Sequence, residues 1–164
     1  WRRGENLNLR AASKTAIVSR RSLKAALCRL LSGLSISDLN DSAAEFFERH
    51  AKHWLRDDTL AALRNHQHEG DTVVIVSASL SLYVSMFADF LDVDFLATDL
   101  KDVAGVLTGE LDGENVSGSE KVLRLNEWMS LKELDRSVVY LTAYGNSSGD
   151  RQLLDWADRS VWVK

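Results

Sequence analysis

The segment Thr72-Val-Val-Ile-Val76, which runs directly into Ser77-Ala-Ser79, decides the fold class. Four consecutive β-branched apolar residues predict a strand that is buried on both faces, as in a parallel sheet covered by helices. A helical pattern with Leu82, Phe87 and Leu91 follows. Ligands of open parallel sheets bind beyond the carboxyl ends of the strands, so the residues after Val76 are the first candidates for a functional site.

Strand and helix patterns alternate through the rest of the second half of the chain. The patterns predict strands at 93–98, 137–143 and 160–163, a hairpin at 105–113, and helices at 119–129 and 150–157. Such alternation predicts an α/β fold: a Rossmann-like parallel sheet with right-handed crossovers and helices on both sides. The first 58 residues predict only helices and open with a basic stretch at 1–21.

Composition excludes several classes of protein. The 164 residues fit one ordinary domain, and 45% hydrophobic with 27% charged residues is a globular composition. A net charge of −4 argues against a general nucleic-acid binder, which is usually basic. The single cysteine, Cys28, excludes an intramolecular disulfide and a cysteine-based zinc cluster. Neither a leader peptide nor an apolar run of about 18 residues is found, so we expect a cytoplasmic protein without an integral membrane segment.

The first candidate site is the group Ser77, Ala78 and Ser79. Small hydroxyl residues between a strand and a helix N-terminus can bind an anion through their hydroxyls, backbone N–H groups and the helix dipole. The alternative is that Ser77 or Ser79 only caps the helix.

The second candidate is the loop from Tyr144 to Asp150, which follows the predicted strand 137–143. Asn146 and Asp150 offer oxygen ligands four residues apart, and Mg²⁺ binds such oxygens together with substrate phosphate. The alternative is a polar loop that caps the next helix through Asp150.

The third candidate is Lys121, in the first turn of the helix predicted at 119–129. The helix dipole disfavours a cation at that end, so this position hints at an ionic partner. The alternative is a solvated lysine.

The three candidates, in this order, resemble the haloacid dehalogenase superfamily, and most closely its phosphoserine-phosphatase-like branch, subfamily IB. Val73–Ser77 resembles the second motif, whose Ser or Thr holds a phosphoryl oxygen. Gly118-Ser-Glu-Lys121 resembles the third, whose Lys neutralises the phosphate and the nucleophile. Asn146-Ser-Ser-Gly-Asp150 resembles the fourth, whose acidic residues serve the Mg²⁺ site. Leu107-Thr-Gly-Glu-Leu-Asp-Gly113 is similar to a hairpin of that branch, and the resemblance covers roughly residues 55–164.

Two departures from the family pattern matter. The first motif, a strand ending in Asp-x-Asp-Gly-Thr whose first Asp is the nucleophile, is missing from this chain, and Asp92-Val-Asp94 precedes its strand instead of ending one. We therefore expect the nucleophile strand upstream of residue 1, residues 1–58 to be the remainder of a helical cap, and residues 59–164 to be the core. The second departure is Asn146, where the family usually has Asp, which should weaken the metal site or change its occupant.

The resemblance implies a Mg²⁺-dependent phosphatase that hydrolyses a phosphate monoester through an aspartyl-phosphate. Ser77, Lys121 and Asp150 would be catalytic, with Ser77, Ala78, Ser79 and Lys121 in contact with substrate. Asn146 and Asp150 would hold the metal, or Asp150 would orient Lys121. The substrate would be a small phosphate ester, with phosphoserine and a lipid phosphate both open. The alternatives are a catalytically inactive pseudo-phosphatase or anion-binding module on the same fold, and a flavodoxin-like signalling domain.

Overall fold

Six helices and five strands make up the part of the chain that the structure, a computed structural model, describes: residues 20–163, without the side chains of residues 20–22 and 52. The basic stretch predicted at 1–21 lies outside it, apart from the backbone of its last two residues. In chain order the elements are α1 (Arg20–Leu30), α2 (Ile36–Arg49), a 3₁₀ turn (Ala51–Trp54), α3 (Asp57–Glu69), β1 (Val74–Leu80), α4 (Ser81–Leu91), β2 (Asp94–Val103), β3 (Val106–Asp112), α5 (Ser119–Leu131), β4 (Thr142–Gly145), a 3₁₀ turn (Ser148–Asp150), α6 (Arg151–Trp156) and β5 (Arg159–Trp162).

The strands form two sheets. β1 pairs in parallel with β2, and β2 pairs antiparallel with β3. β4 and β5 form a separate parallel pair. The predicted α/β class with parallel strands and covering helices is therefore confirmed. Among residues 20–163, however, β1 and β4 each pair on one side only, so one edge of each strand is open.

The hairpin differs from its predicted position. Its turn lies at Ala104–Gly105, both with positive φ, and joins a long β2 to β3. The segment predicted as a whole hairpin, 105–113, is thus mainly its second strand. The predicted bounds are wrong because a glycine inside 105–113 does not make a turn here: Gly109 lies within β3.

The strand predicted at 137–143 begins only at Thr142. A turn precedes it, in which Asp135 Oδ1 accepts hydrogen bonds from the backbone N–H and the hydroxyl of Ser137, both at 2.8 Å. Val138 is 81% exposed, so the apolar run does not mark a strand buried along its whole length. Local side chain–backbone hydrogen bonds compete here with strand geometry.

The helices cover the strands from sequence-distant positions. α5 and α6 enclose a core cluster of Leu125, Met129, Ala143, Leu153 and Leu154. α2 packs on α4, and the ring of Phe47 meets that of Phe87 edge-on at 5.0 Å. Within the described part of the chain, none of the helices has the length and apolarity needed to cross a membrane.

The turn that follows α1 is hydrogen-bonded to the hairpin strand β3, and α1 itself packs on that strand. The N–H of Gly33 donates to the carbonyl of Leu107 at 2.8 Å, and the N–H of Leu107 donates to the carbonyl of Leu34 at 2.9 Å. The backbones approach so closely that a Cβ on Gly109, whose φ is +85°, would lie 2.9 Å from the Cβ of Ser32. Glycine at 109 therefore permits the docking of α1, whose Cys28 is buried as a small apolar side chain.

Candidate functional site

The segment Ser77–Ser79 lies inside β1 and not after it. β1 pairs with β2 at Val76 opposite Leu96 and again at Leu80 opposite Thr98, so two extra residues bulge out of the ladder between these pairs. The alternative that Ser77 or Ser79 only caps the helix is wrong, since α4 begins at Ser81 and its cap residue, Leu80, makes no side-chain cap. Ser77 Oγ instead accepts a hydrogen bond from the N–H of Ser79 at 3.1 Å. Bulges of this kind free backbone groups and redirect side chains, and they recur beside active sites.

Lys121 reaches this end of β1 from the first turn of α5. Gly118 precedes the helix with φ 65° and ψ −128°, a conformation that a side chain rarely tolerates. The ammonium of Lys121 lies 2.7 Å from Asp150 Oδ1 and donates to the carbonyl of Val76 at 2.5 Å. Lys121 is buried and not solvated. Asp150 is the ionic partner that its unfavourable position at the helix start predicts.

Asp150 is held from the opposite side by its own loop. Its Oδ2 accepts from the N–H of Asn146 at 3.1 Å, the N–H of Ser147 at 2.9 Å and the hydroxyl of Ser147 at 2.7 Å. Burial alone would raise the pKa of Asp150, but the hydrogen bonds from Lys121 and Ser147 outweigh it and hold that pKa below its usual value. Asp150 is therefore an ionised anchor for Lys121.

Gly145 makes room for this anchor at the end of β4. A Cβ on Gly145 would lie 2.6 Å from the Cβ of Asp150 and 3.2 Å from a methyl carbon of Leu154. These atoms belong to a bonded carboxylate and a buried leucine, and neither can move away easily. The glycine before Asn146 is thus a steric requirement of the site.

Asn146 contributes to the site mainly through its backbone, because its N–H donates to Asp150 while the residue is exposed. Its amide oxygen would be open to a hard cation. Asp150, in contrast, already accepts from four donors, one of them the Lys121 ammonium. The described residues therefore fit a Mg²⁺ ion only in part. The amide oxygen of Asn146 could bind the ion directly, whereas the Asp150 carboxylate would first have to give up one of its hydrogen-bond donors.

The structure thus brings together Lys121, Asp150 and the β1 bulge that contains Ser77, with Asn146 in the loop beside them. Sequence reasoning missed a second polar group at the same strand ends, formed by Lys24, Thr98 and Asn115. Thr98 is completely buried, and its hydroxyl bonds the carbonyl of Ala78 at 3.2 Å. The available signal was a hydroxyl residue at the end of the buried strand predicted at 93–98.

One further cluster joins the end of α3 to Tyr144 of β4. His66 at the end of α3 has one ring nitrogen 2.7 Å from Asp71 Oδ2 and the other 2.9 Å from the hydroxyl of Tyr144. Glu69 supplies a third potential ligand atom within 4.8 Å of the others. Because both ring nitrogens of His66 already have protein partners, the cluster is satisfied as hydrogen bonds without a metal.

A family model described as haloacid dehalogenase-like hydrolase matches residues 2–155. Protein CicA of Caulobacter vibrioides is 38% identical over 143 residues, which cover 85% of this chain and 62% of that protein. The chain therefore spans less than two thirds of the length of this curated relative.

Solved structures share the fold. A Bordetella pertussis Tohama I protein of unknown function has a TM-score of 0.81 at 24% identity, covering 88% of this chain and 66% of its own. A phosphoserine phosphatase captured as a phospho-aspartyl intermediate analogue has a TM-score of 0.60 at 21% identity. The match covers 87% of this chain and 64% of that protein. A probable phosphoserine phosphatase from Vibrio cholerae also has a TM-score of 0.60, at 19% identity. The match covers 87% of this chain and 41% of that protein. At these identities the likeness concerns the fold.

Proposed function

The chain belongs to the haloacid dehalogenase-like hydrolase family, and from this premise we propose that it is part of a Mg²⁺-dependent phosphomonoester hydrolase. The observation that carries the proposal is the buried Lys121, fixed 2.7 Å from Asp150 beside the bulged end of β1. A buried, anchored ammonium at the carboxyl end of a parallel strand is suited to hold a phosphoryl group.

In the proposed reaction Lys121 stabilises the negative charge on the phosphoryl oxygens as the ester bond breaks. Asp150 keeps its ammonium in a fixed position, so no reorganisation is needed at the moment of reaction. Ser77 and the backbone N–H of Ala78 would bind the remaining phosphoryl oxygens, joined by the N–H of Ser79 once it exchanges its bond to Ser77 Oγ for one to the ligand. Phosphoryl transfer depends mostly on positioning and charge stabilisation, which these groups can supply.

The nucleophile is proposed to be an aspartate on a strand upstream of residue 1. Its carboxylate would form a bond to phosphorus while the ester P–O bond breaks, and water would then hydrolyse the aspartyl-phosphate. The open edges of β1 and β4 support this placement, since a parallel strand between them would join the two sheets into one and end between Lys121 and the bulge.

Magnesium is proposed as the cofactor, with the amide oxygen of Asn146 as the ligand that the described residues leave free. A bound Mg²⁺ supplies positive charge to the transferring phosphoryl group. Since the described residues fit the ion only in part, we propose that carboxylate ligands come from the upstream segment. We assign Asp150 first to Lys121 and second to the metal, because four donors already occupy it.

The phosphoserine phosphatases that share the fold support a small phosphate ester as the substrate class. We propose a small phosphate ester, phosphoserine or a lipid phosphate among the possibilities, in a cytoplasmic protein with no nucleic-acid partner. The division into a helical cap at 1–58 and a core at 59–164 is part of the same proposal. In the structure this boundary falls in the first turn of α3, which begins at Asp57.

A second candidate function is an anion-binding module without turnover. Asn146 in place of an acidic residue favours it, because a neutral ligand holds Mg²⁺ less strongly. Such a protein would keep the Lys121–Asp150 pair and bind phosphate but would not break the ester.

We expect the full-length protein to hydrolyse p-nitrophenyl phosphate in the presence of Mg²⁺, with the rate falling at least about 100-fold in EDTA and returning when Mg²⁺ is added back. The measurement is absorbance at fixed substrate concentration. A rate insensitive to EDTA would contradict the Mg²⁺ dependence. Phosphate binding without turnover above background would establish the anion-binding module instead.

A further inference from the structure

Lys24 extends from α1 to the strand ends beside the Lys121 site. Its ammonium donates to the carbonyl of Ala78, to Asn115 Oδ1 and, at 3.2 Å, to the hydroxyl of Thr98. Ala78 belongs to the β1 bulge, Thr98 to β2 and Asn115 to the segment before α5. One side chain from the helical first part of the chain thus joins three separate pieces of the α/β part.

The three acceptors of Lys24 are all neutral. Among the side chains described in residues 23–163, none of the carboxylates forms an ion pair with it, whereas Lys121 has Asp150. Lys24 is partly buried, and this burial lowers the pKa of its ammonium. A desolvated cation with only neutral partners gains more from an incoming anion than one that already has a carboxylate.

The two ammonium groups point at the same strand end. Lys121 donates to the carbonyl of Val76 and Lys24 to that of Ala78. Two residues of chain span at most about 7 Å, so the two carbonyls that accept from these ammonium groups lie close together. An oxyanion bound at the bulge would therefore lie near both side chains. The docking of α1 on β3, which Gly109 permits, fixes the direction from which Lys24 arrives.

We propose that Lys24 is a second anion-binding residue of this site, delivered by α1, and that it exchanges neutral oxygens for those of a dianionic ligand such as a phosphate or phosphate ester. The inference rests on the proposed function and deepens it. It makes anion binding depend on a helix outside the three family motifs, so an anion in the site also holds α1 against the strand ends. A residue with only a structural role would stabilise this docking without responding to ligand charge.

The test compares tungstate, a tetrahedral dianion, with perrhenate, a monoanion of the same shape. Binding of each is measured by isothermal titration calorimetry on the full-length protein and on Lys24→Gln, Lys24→Arg and Lys121→Met. Glutamine keeps a donor for the neutral acceptors but removes the charge. Lys101→Gln is the matched control, since Lys101 is an exposed lysine 3.7 Å from Glu110.

We expect Lys24→Gln to weaken tungstate binding about tenfold or more and perrhenate binding much less, as loss of one charge contact predicts. Lys24→Arg should retain most of the affinity, and Lys101→Gln all of it. Equal losses for both anions in Lys24→Gln, or none, would overturn the role of Lys24 while leaving the proposed function standing. If the wild-type protein binds neither anion, the proposed function fails and this inference with it. Should Lys24→Gln not fold, tungstate binding by Lys24→Arg decides, because an unchanged charge must preserve the preference for the dianion.

Discussion

Replacing Lys121 by methionine is expected to lower the free energy of unfolding by about 3 kcal/mol and to weaken tungstate binding at least about 100-fold. The substitution leaves the Asp150 carboxylate, whose side chain is only 12% exposed, without its cationic partner. It also leaves the Val76 carbonyl without the donor at 2.5 Å. Removing one member of a buried ion pair costs more than the pair itself contributes, because the remaining charge stays desolvated. Urea unfolding and calorimetry measure the two effects.

Lys132→Met provides the control for this prediction. Lys132 follows the end of the same helix, α5, and lies 2.8 Å from Asp94 Oδ2, but both side chains are about half exposed. Such surface pairs contribute about 0–1 kcal/mol, so this variant should keep its stability and its anion affinity. If the two variants lost equal stability, or if Lys121→Met bound tungstate like the wild type, Lys121 would not be the cation of an anion site.

Gly145→Ala is expected to lose about 1–3 kcal/mol of stability and most of the anion affinity, although the added methyl group touches no ligand. The new Cβ would lie 2.6 Å from the Cβ of Asp150 and 3.1 Å from its Cγ. To relieve this overlap the Asp150 side chain must move, and its hydrogen bonds to Ser147 and Lys121 move with it. Thermal unfolding and tungstate titration measure the effects.

Gly149→Ala in the same loop is the matched control. Its Cβ would meet the hydroxyl oxygen of Ser117 at 2.8 Å, the end of a side chain that can rotate away. We expect a smaller loss of stability and nearly unchanged anion affinity. Equal effects from the two glycine substitutions would show that the loop tolerates no side chain anywhere, and would remove the specific link from Gly145 to Asp150.

The fold class could be predicted from the sequence because local hydrophobic patterns indicate its main strands and helices. The β-branched run before Ser77 and the helix at 119–129 both have the expected structure, to within a few residues. The hairpin and the strand predicted at 137–143 differ from their predicted bounds. Gly109 lies where α1 docks and makes no turn, and Asp135 accepts hydrogen bonds from Ser137 in a local turn that delays the strand. Such long-range and side-chain effects leave little trace in periodicity.

The candidate site, too, could be predicted from the sequence only in part. An unfavourable lysine at a helix start predicted an ionic partner, and Asp150 in the glycine-rich loop is that partner. The bulge that takes Ser77 out of the strand ladder depends on the pairing of β1 with β2, which sequence spacing does not reveal. The approach of Lys24 to Thr98 joins residues 74 positions apart and could not be read from local patterns.

A crystal structure of the full-length protein with bound tungstate would show whether the end of β1 and the Lys121–Asp150 pair form one oxyanion site. Anomalous scattering locates tungsten without ambiguity. We expect a peak within about 4 Å of the Lys121 Nζ and of the Ser77–Ser79 bulge, a distance set by ordinary hydrogen bonds to the oxygens. A fully occupied tungsten peak elsewhere, with no peak at this strand end, would contradict it.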